Sequence, residues 1–285
     1  LAKSGTESFL KQLEKTKDDK VAASNLIGKF GVGFYSSFMV ADTVEVLTRK
    51  AGASEVFLWT SDGQTGYEIA LSDEDLETGT LVRLHLKKDA KDYADAEKVK
   101  AIIKKYSDHI AVGIHIEDKD GKQEQVNSAE ALWTRPSKDI TKDEYKSFYQ
   151  SQFGAYDEPF VTLHNRSEGT LEFTNLLFVP SNAPFDLFDP ERKSKLNLYI
   201  NRVFITNDLD TILPKWLRFI QGVLDTSSLD LNVSRELVQS SPVLAKIKKA
   251  ITKRIISELK KAMKKDPAAY DTFWEQFGKV LKEGL

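Results

Sequence analysis

Gly28, Gly31 and Gly33 stand in a G-x-x-G-x-G arrangement inside NLIGKFGVGFYSSFMVAD, residues 25–42. Lacking Cβ atoms, they let successive backbone N–H groups converge on an anion. A helix over 34–41 would add its partially positive N-terminus beside that anion. The pattern is a phosphate cradle in outline, or else a glycine-rich helix start packed closely on a sheet. It is not a Walker A loop, because no Lys-Ser or Lys-Thr follows, and it is not the G-x-G-x-x-G of dinucleotide-binding folds. Other chemistry is sparse. The absence of cysteine excludes disulfides and thiolate metal sites and is compatible with a reducing compartment, the cytoplasm or an organellar matrix. His85, His109, His115 and His164 lack metal-ligand spacing, so their expected role is structural or solvated.

The elements that must position this loop can be read in order. Ser4 and Glu7 have capping-box spacing before Phe9, Leu10 and Leu13. After the loop come runs of strand character beginning at Thr43, Glu55, Tyr67 and Thr80. Gly52, Asp62-Gly63 and Gly79 punctuate them, which predicts an antiparallel meander. Val99, Ile102, Ile103 and Tyr106 have helical spacing, and 109–117 alternates like a strand. Residues 118–128 are polar and read as a linker between two domains.

Beyond it, an aromatic helix (EYKSFYQSQF) precedes strands in VTLHNRS, LEFTNLLFVP and KLNLYINRVFIT. The run ILPKWLRFIQGVLD reads as a helix around Trp216, Leu217, Phe219 and Ile220. Ser241-Pro242 and Asp266-Pro267 each supply a cap and a first-turn proline for a terminal helix. The first of these helices keeps Ile247, Ile251, Ile255 and Leu259 on one face and many lysines on the other. Without interleaved aromatic platforms, that basic face reads as solvated rather than as a nucleic-acid surface.

The 285 residues suffice for two domains, and a formal charge of −2 predicts no general attraction to nucleic acid or anionic lipid. No apolar run approaches the ~20 residues of a membrane span. The chain starts at Leu1, without an initiator Met, and is expected to be an internal piece of a longer protein.

Six motifs in order, AKSGT (2–6), IGKFGVGFYSSFMVAD (27–42), LWTRP (132–136), APFDLF (183–188), RVFI (202–205) and LNVSRE (231–236), resemble the heat-shock protein 90 family of chaperones. The short linker is similar to that of its bacterial type. The resemblance implies an α+β chain. Residues 1–117 would be the later half of a Bergerat-type (GHKL) two-layer α/β sandwich that binds ATP, and 118–128 a short linker. Residues 129–240 would be an α-β-α sandwich middle domain, and 241–285 its C-terminal helices.

It also implies roles. Lys3 would be the lid lysine, with Gly31, Val32, Gly33 and Phe34 in the phosphate loop and Thr80 near the adenine. Arg235 would reach the γ-phosphate, assisted by Gln239, a role that suits a permanently charged guanidinium. Read without the family, Arg235 suits an ion pair with Glu236 or Asp230. Trp133, Phe185, Leu187 and Phe188 would touch client proteins, the last three on a flexible loop, and Phe204 would be a buried support for the arginine loop. Taken from the residues alone, the loop's apolar side chains would fold back on the domain.

The implied cofactors are ATP and Mg²⁺. The implied partners are unfolded clients and a second copy of the parent, with neither nucleic acid nor membrane. The parent's ATP-driven closure would clamp a client. The glutamate base, the Mg²⁺ ligand and the adenine-reading aspartate are expected upstream of Leu1, so this piece is expected to be a poor ATPase, with a marginally stable first half. Rivals are a DNA-acting ATPase of the same superfamily, of topoisomerase or mismatch-repair type, and a nucleotide-independent protein-binding module.

Overall fold

A computed structural model describes residues 33–169, 171–189, 191–207, 212–229 and 241–284. The capping box at Ser4 and the elements expected before Gly33 lie outside the described residues. The chain divides between Ile102 and Ile103 into two compact units, both of mixed helix and sheet.

In the first unit a 3₁₀ turn, Gly33–Ser36, runs into one helical turn, α1 (Ser37–Val40), and then directly into strand β1 (Ala41–Arg49). The expected helix is therefore two short turns, too brief for its dipole to add much at the glycine loop. Strands β2 (Val56–Ser61), β3 (Glu68–Ser72) and β4 (Gly79–Leu86) complete an all-antiparallel sheet of order β3-β2-β1-β4. This corrects the meander. The fourth strand returns to lie beside the first, the spatial order of a Greek key. Local turn signals fix hairpins, whereas the partner of β4 is a long-range choice that they do not encode. Helix α2 (Ala96–Tyr106) spans the division between the units.

In the second unit the polar 118–128 stretch is not an open linker. β5 (His115–Glu117) pairs with β6 (Gln123–Gln125) across a turn at Gly121, and Asn127 ties down three backbone groups between Ser107 and Ile114. The contact division falls earlier than the sequence boundary, because residues 103–128 pack with the remainder of the second unit.

Helix α3 (Lys142–Phe153) opens on a full capping box, Thr141 with Glu144, and closes on Gly154 at φ 63°. A five-stranded sheet comes next in the order β10-β9-β11-β8-β7, built from β7 (Pro159–Ser167), β8 (Phe173–Pro180), β9 (Lys195–Ile200), β10 (Val203–Thr206) and β11 (Gln221–Thr226). β11 is parallel to β9 and antiparallel to β8. Helices α4 (Pro242–Lys265) and α5 (Pro267–Lys282) close the described chain, capped as expected by Ser241, which accepts from Val243 N at 3.2 Å, and by Asp266, which accepts from Ala269 N at 3.0 Å.

The expected helix at 212–225 is corrected. Only Lys215–Leu217 is helical, as a 3₁₀ turn, and Gln221–Thr226 is a central strand. A strand buried on both faces loses the polar alternation that marks strands in sequence. Gly222, at φ +154°, explains the one residue that looks weak in such a strand, because a Cβ there would lie 2.3 Å from the Leu176 carbonyl oxygen.

Both faces of this sheet are covered. Leu177, Val179, Leu198 and Leu224 join α4 and α5 in one core, with Ile247, Ile255, Phe273 and Phe277. Leu176, Phe178, Tyr199 and Val223 join Trp133 and α3 in the other.

Candidate functional site

Among the residues expected to hold nucleotide, Lys3, Gly31 and Val32 lie outside the described residues. Gly33 opens the 3₁₀ turn, and no atom of the described residues lies within 4 Å of where its Cβ would project. Phe34 is half-buried against Phe38 and edge-on to Trp59, with ring centroids 5.6 Å apart, above Val44 and Val46 of β1. Thr80 pairs with Thr48, their hydroxyl oxygens 3.1 Å apart.

Strand alternation puts Thr48 on the same face as Val44 and Val46, so Thr80 shares the sheet face on which Phe34 sits. Phe34 and Thr80, both expected to serve a nucleotide, are thus on one face of one sheet. For Mg²⁺ no fit is found, since no group of three carboxylates or histidines that could hold a metal occurs among the described residues. The other sheet face is mixed: Leu47, Leu58 and Leu81 lie on it beside Glu45, which accepts from Arg83 at 2.9 Å and lies 3.4 Å from His85. The Arg83 hydrogen bond, against a smaller opposing effect of burial, holds the Glu45 carboxyl below its ordinary range.

In the second unit the four expected client residues separate. Phe185 is fully exposed (102%) and Phe188 more than half exposed, while Leu187 is completely buried and Trp133 is 1% exposed. This corrects the surface role expected for Trp133 and Leu187. The Trp133 ring packs against His109 and Tyr199 at centroid distances of 4.7 and 4.8 Å, and its indole N–H donates to Asp225 at 2.8 Å. Trp133 is a core residue whose polar edge is satisfied internally.

The expected flexible loop is anchored instead. The guanidinium of Arg218 donates to the Leu187 carbonyl at 2.8 Å and grips Glu283 through two bonds of 2.6 and 2.8 Å. Asp157 accepts from the Ser181 and Asn182 amides, and Gln276 accepts from the Ala183 amide. Asp186 pairs with Arg192. Leu187 is the plug, and Phe185 is held out in water by its neighbours. The two readings of this loop, folded back or presented outward, each apply to different residues of it.

Arg235 and Gln239 lie outside the described residues. Phe204, expected to be buried, is half-buried between the Tyr199 and Tyr106 rings. Two histidines are structural. His109 is buried, with Nδ1 2.9 Å from the Glu130 carbonyl. His164 lies 2.9 Å from the Trp133 carbonyl through Nε2 and 2.7 Å from the Tyr145 hydroxyl through Nδ1, and burial lowers its pKa.

Three residues passed over in the sequence matter here. Asp225 is buried in β11, where it accepts from Trp133 and from the Arg202 amide at 3.3 Å. Burial raises its pKa, and those two hydrogen bonds oppose the rise. Gln221 is 7% exposed, and its Oε1 has no hydrogen-bond partner among the described residues. Tyr156 is fully exposed just after the α3 cap. The available signal for Asp225 and Gln221 was polarity inside an apolar run, which the helical reading of that run hid.

Comparison with known proteins matches the sequence to a family. The family profile "Hsp90 protein" matches residues 114–285. Over its whole length the chain is 51% identical to "Chaperone protein HtpG" of Orientia tsutsugamushi, covering 45% of that relative. It is 51% and 52% identical to the proteins of the same name from Rickettsia rickettsii and Rickettsia prowazekii, covering 46% of each. The chain belongs to the Hsp90 family, and it spans about half the length of these curated relatives. No described helix is long and apolar enough to cross a membrane.

Proposed function

We propose that this chain is part of an ATP-dependent molecular chaperone that holds unfolded or partly folded polypeptide. The observation that carries the reading is identity of about one residue in two, over all 285 positions, to relatives named as chaperones. The first unit is assigned as the later part of a Bergerat-type nucleotide domain and the second as the α-β-α middle domain. In this reading Lys3, Gly31, Val32, Gly33, Phe34 and Thr80 serve ATP, while Arg235 and Gln239 serve its hydrolysis.

Within the chain, backbone amides at the glycine loop orient the phosphates, and the anchored loop presents Phe185 and Phe188 to a client. The parent is proposed as a cytoplasmic homodimer. The DNA-acting rival belongs to a different branch from the family matched. It predicts DNA binding that falls on the order of 10³-fold between 50 and 200 mM salt for six or more phosphate contacts.

The reading is tested with a reduced, alkylated and fluorescently labelled protein that cannot fold. The 285-residue chain is expected to bind it saturably in the micromolar range, about −8 kcal/mol, and to slow its aggregation. A chain that neither binds nor protects it would sink the proposal.

A further inference from the structure

In the second unit the turn that closes α5, residues 282–284, and the far half of the 181–189 loop are joined through one side chain, although they are distant in sequence. Arg218 is the joint. Its Nε donates to the Leu187 carbonyl at 2.8 Å, while Nη1 and Nη2 donate to the two Glu283 carboxylate oxygens at 2.6 and 2.8 Å. The Arg218 side chain is 10% exposed and that of Glu283 46%. Nη1 also donates to the Lys215 carbonyl at 3.0 Å, within its own turn, and Glu283 is the one carboxylate partner of this charge among the described residues.

Other ties hold other parts. Asp157 accepts from the Ser181 and Asn182 amides, and Gln276, on the body of α5, accepts from the Ala183 amide and donates to the Ser181 carbonyl. These fix the near half of the loop. Phe273, Phe277 and Val280 fix the body of α5 in the core, whereas Lys282, Glu283 and Gly284 are exposed. The closing turn is therefore the part of this helix that can open without breaking the core, and Arg218 is its restraint.

We infer that Arg218 and Glu283 form a latch through which the closing turn of α5 controls the 184–189 segment. With the pair closed, Leu187 stays seated as a plug. With Glu283 withdrawn, the segment opens. Two charge-assisted bonds in a fork fix the direction of the guanidinium. Removing the carboxylate leaves a nearly buried cation with carbonyl oxygens alone, which is costly, so the guanidinium turns toward water and drops the Leu187 carbonyl. Opening is then one event at two places, and such coupling is reciprocal: loosening the loop must loosen the helix end.

The test is amide hydrogen exchange of the 285-residue chain, read by NMR. The loop reporters are the Leu187 and Asp189 amides, which donate to the Pro184 and Asp186 carbonyls. The helix reporters are the Glu283 and Gly284 amides, which donate to Val280 and Leu281. Glu283→Gln alters a half-exposed side chain, keeps its shape and removes its charge. It is expected to speed exchange at Leu187 and Asp189 about tenfold, with β8 and the first turns of α5 unchanged. Leu187→Val trims the plug by one methylene, and it is expected to speed exchange at Glu283 and Gly284 several-fold. A merely structural ion pair would loosen its own helix end and leave the loop as it was.

Wild-type rates at Leu187 and Asp189 in Glu283→Gln would overturn the latch. So would an equal acceleration across the whole second unit, or an unmoved helix end in Leu187→Val.

Discussion

The two sheets of this chain are made of similar residues and finish differently. In the second unit β8 and β11 are buried along nearly their whole length, because α3 covers one face and α4 with α5 the other. In the first unit Phe57, Ile69, Leu71, Val82 and Leu84 all share the face carrying Val44 and Val46, and each of the five is exposed to between 38% and 66%. Apolar strand residues stabilise only when a second layer removes them from water, so equal β-propensity yields unequal stability.

The largest break in this comparison is expected at glycines. Gly222→Ala should cost about 4 kcal/mol or more and abolish cooperative unfolding of the second unit, since its Cβ would strike backbone. Gly33→Ala in the first unit should change stability by less than about 0.5 kcal/mol, because no atom of the described residues lies within 4 Å of the added Cβ. Urea titrations followed by tryptophan fluorescence would measure both.

Next come apolar truncations. Leu177→Ala should cost about 3 kcal/mol, whereas Ile69→Ser on the exposed face should cost under about 0.5 kcal/mol. An equal cost for the two would refute the contrast.

How much of this was legible beforehand depended on range. The caps at Ser241 and Asp266 were readable because capping is decided within four residues. The location of β4 beside β1 was not, because pairing between Thr80 and Thr48 joins residues 32 apart. β11 was misread because burial on both faces erased its alternation, and Trp133 was misassigned because nothing near it in sequence shows that Asp225 waits 92 positions later for its indole N–H. The family motifs carried the functional reading, while the division of 183–188 into a buried plug and an exposed aromatic required the fold.

Smaller effects separate the units by pH. In the first unit the Glu45 pKa is depressed below 4.5 by Arg83, so its contribution is present above that value and is lost as pH falls through the folded pKa. In the second, burial raises the Asp225 pKa above 3.8. Its contribution therefore runs the other way, full below 3.8 and lost as pH rises through the folded pKa. Carboxyl titration by NMR should show the two groups displaced in opposite directions, and Asp225→Asn should flatten the second dependence. The smallest expected difference is in backbone exchange, where amides of β3 should exchange before those of β8 and β11.

Among the described residues, apolar side chains are exposed on a sheet face in the first unit and at Phe185 and Phe188 in the second, and we assign polypeptide holding to the second. The most direct test places a photo-crosslinking benzophenone side chain at position 185 in one preparation and at position 69 in another, each mixed with the labelled unfolded protein. Capture is expected at 185. Capture at 69 with none at 185 would contradict that assignment.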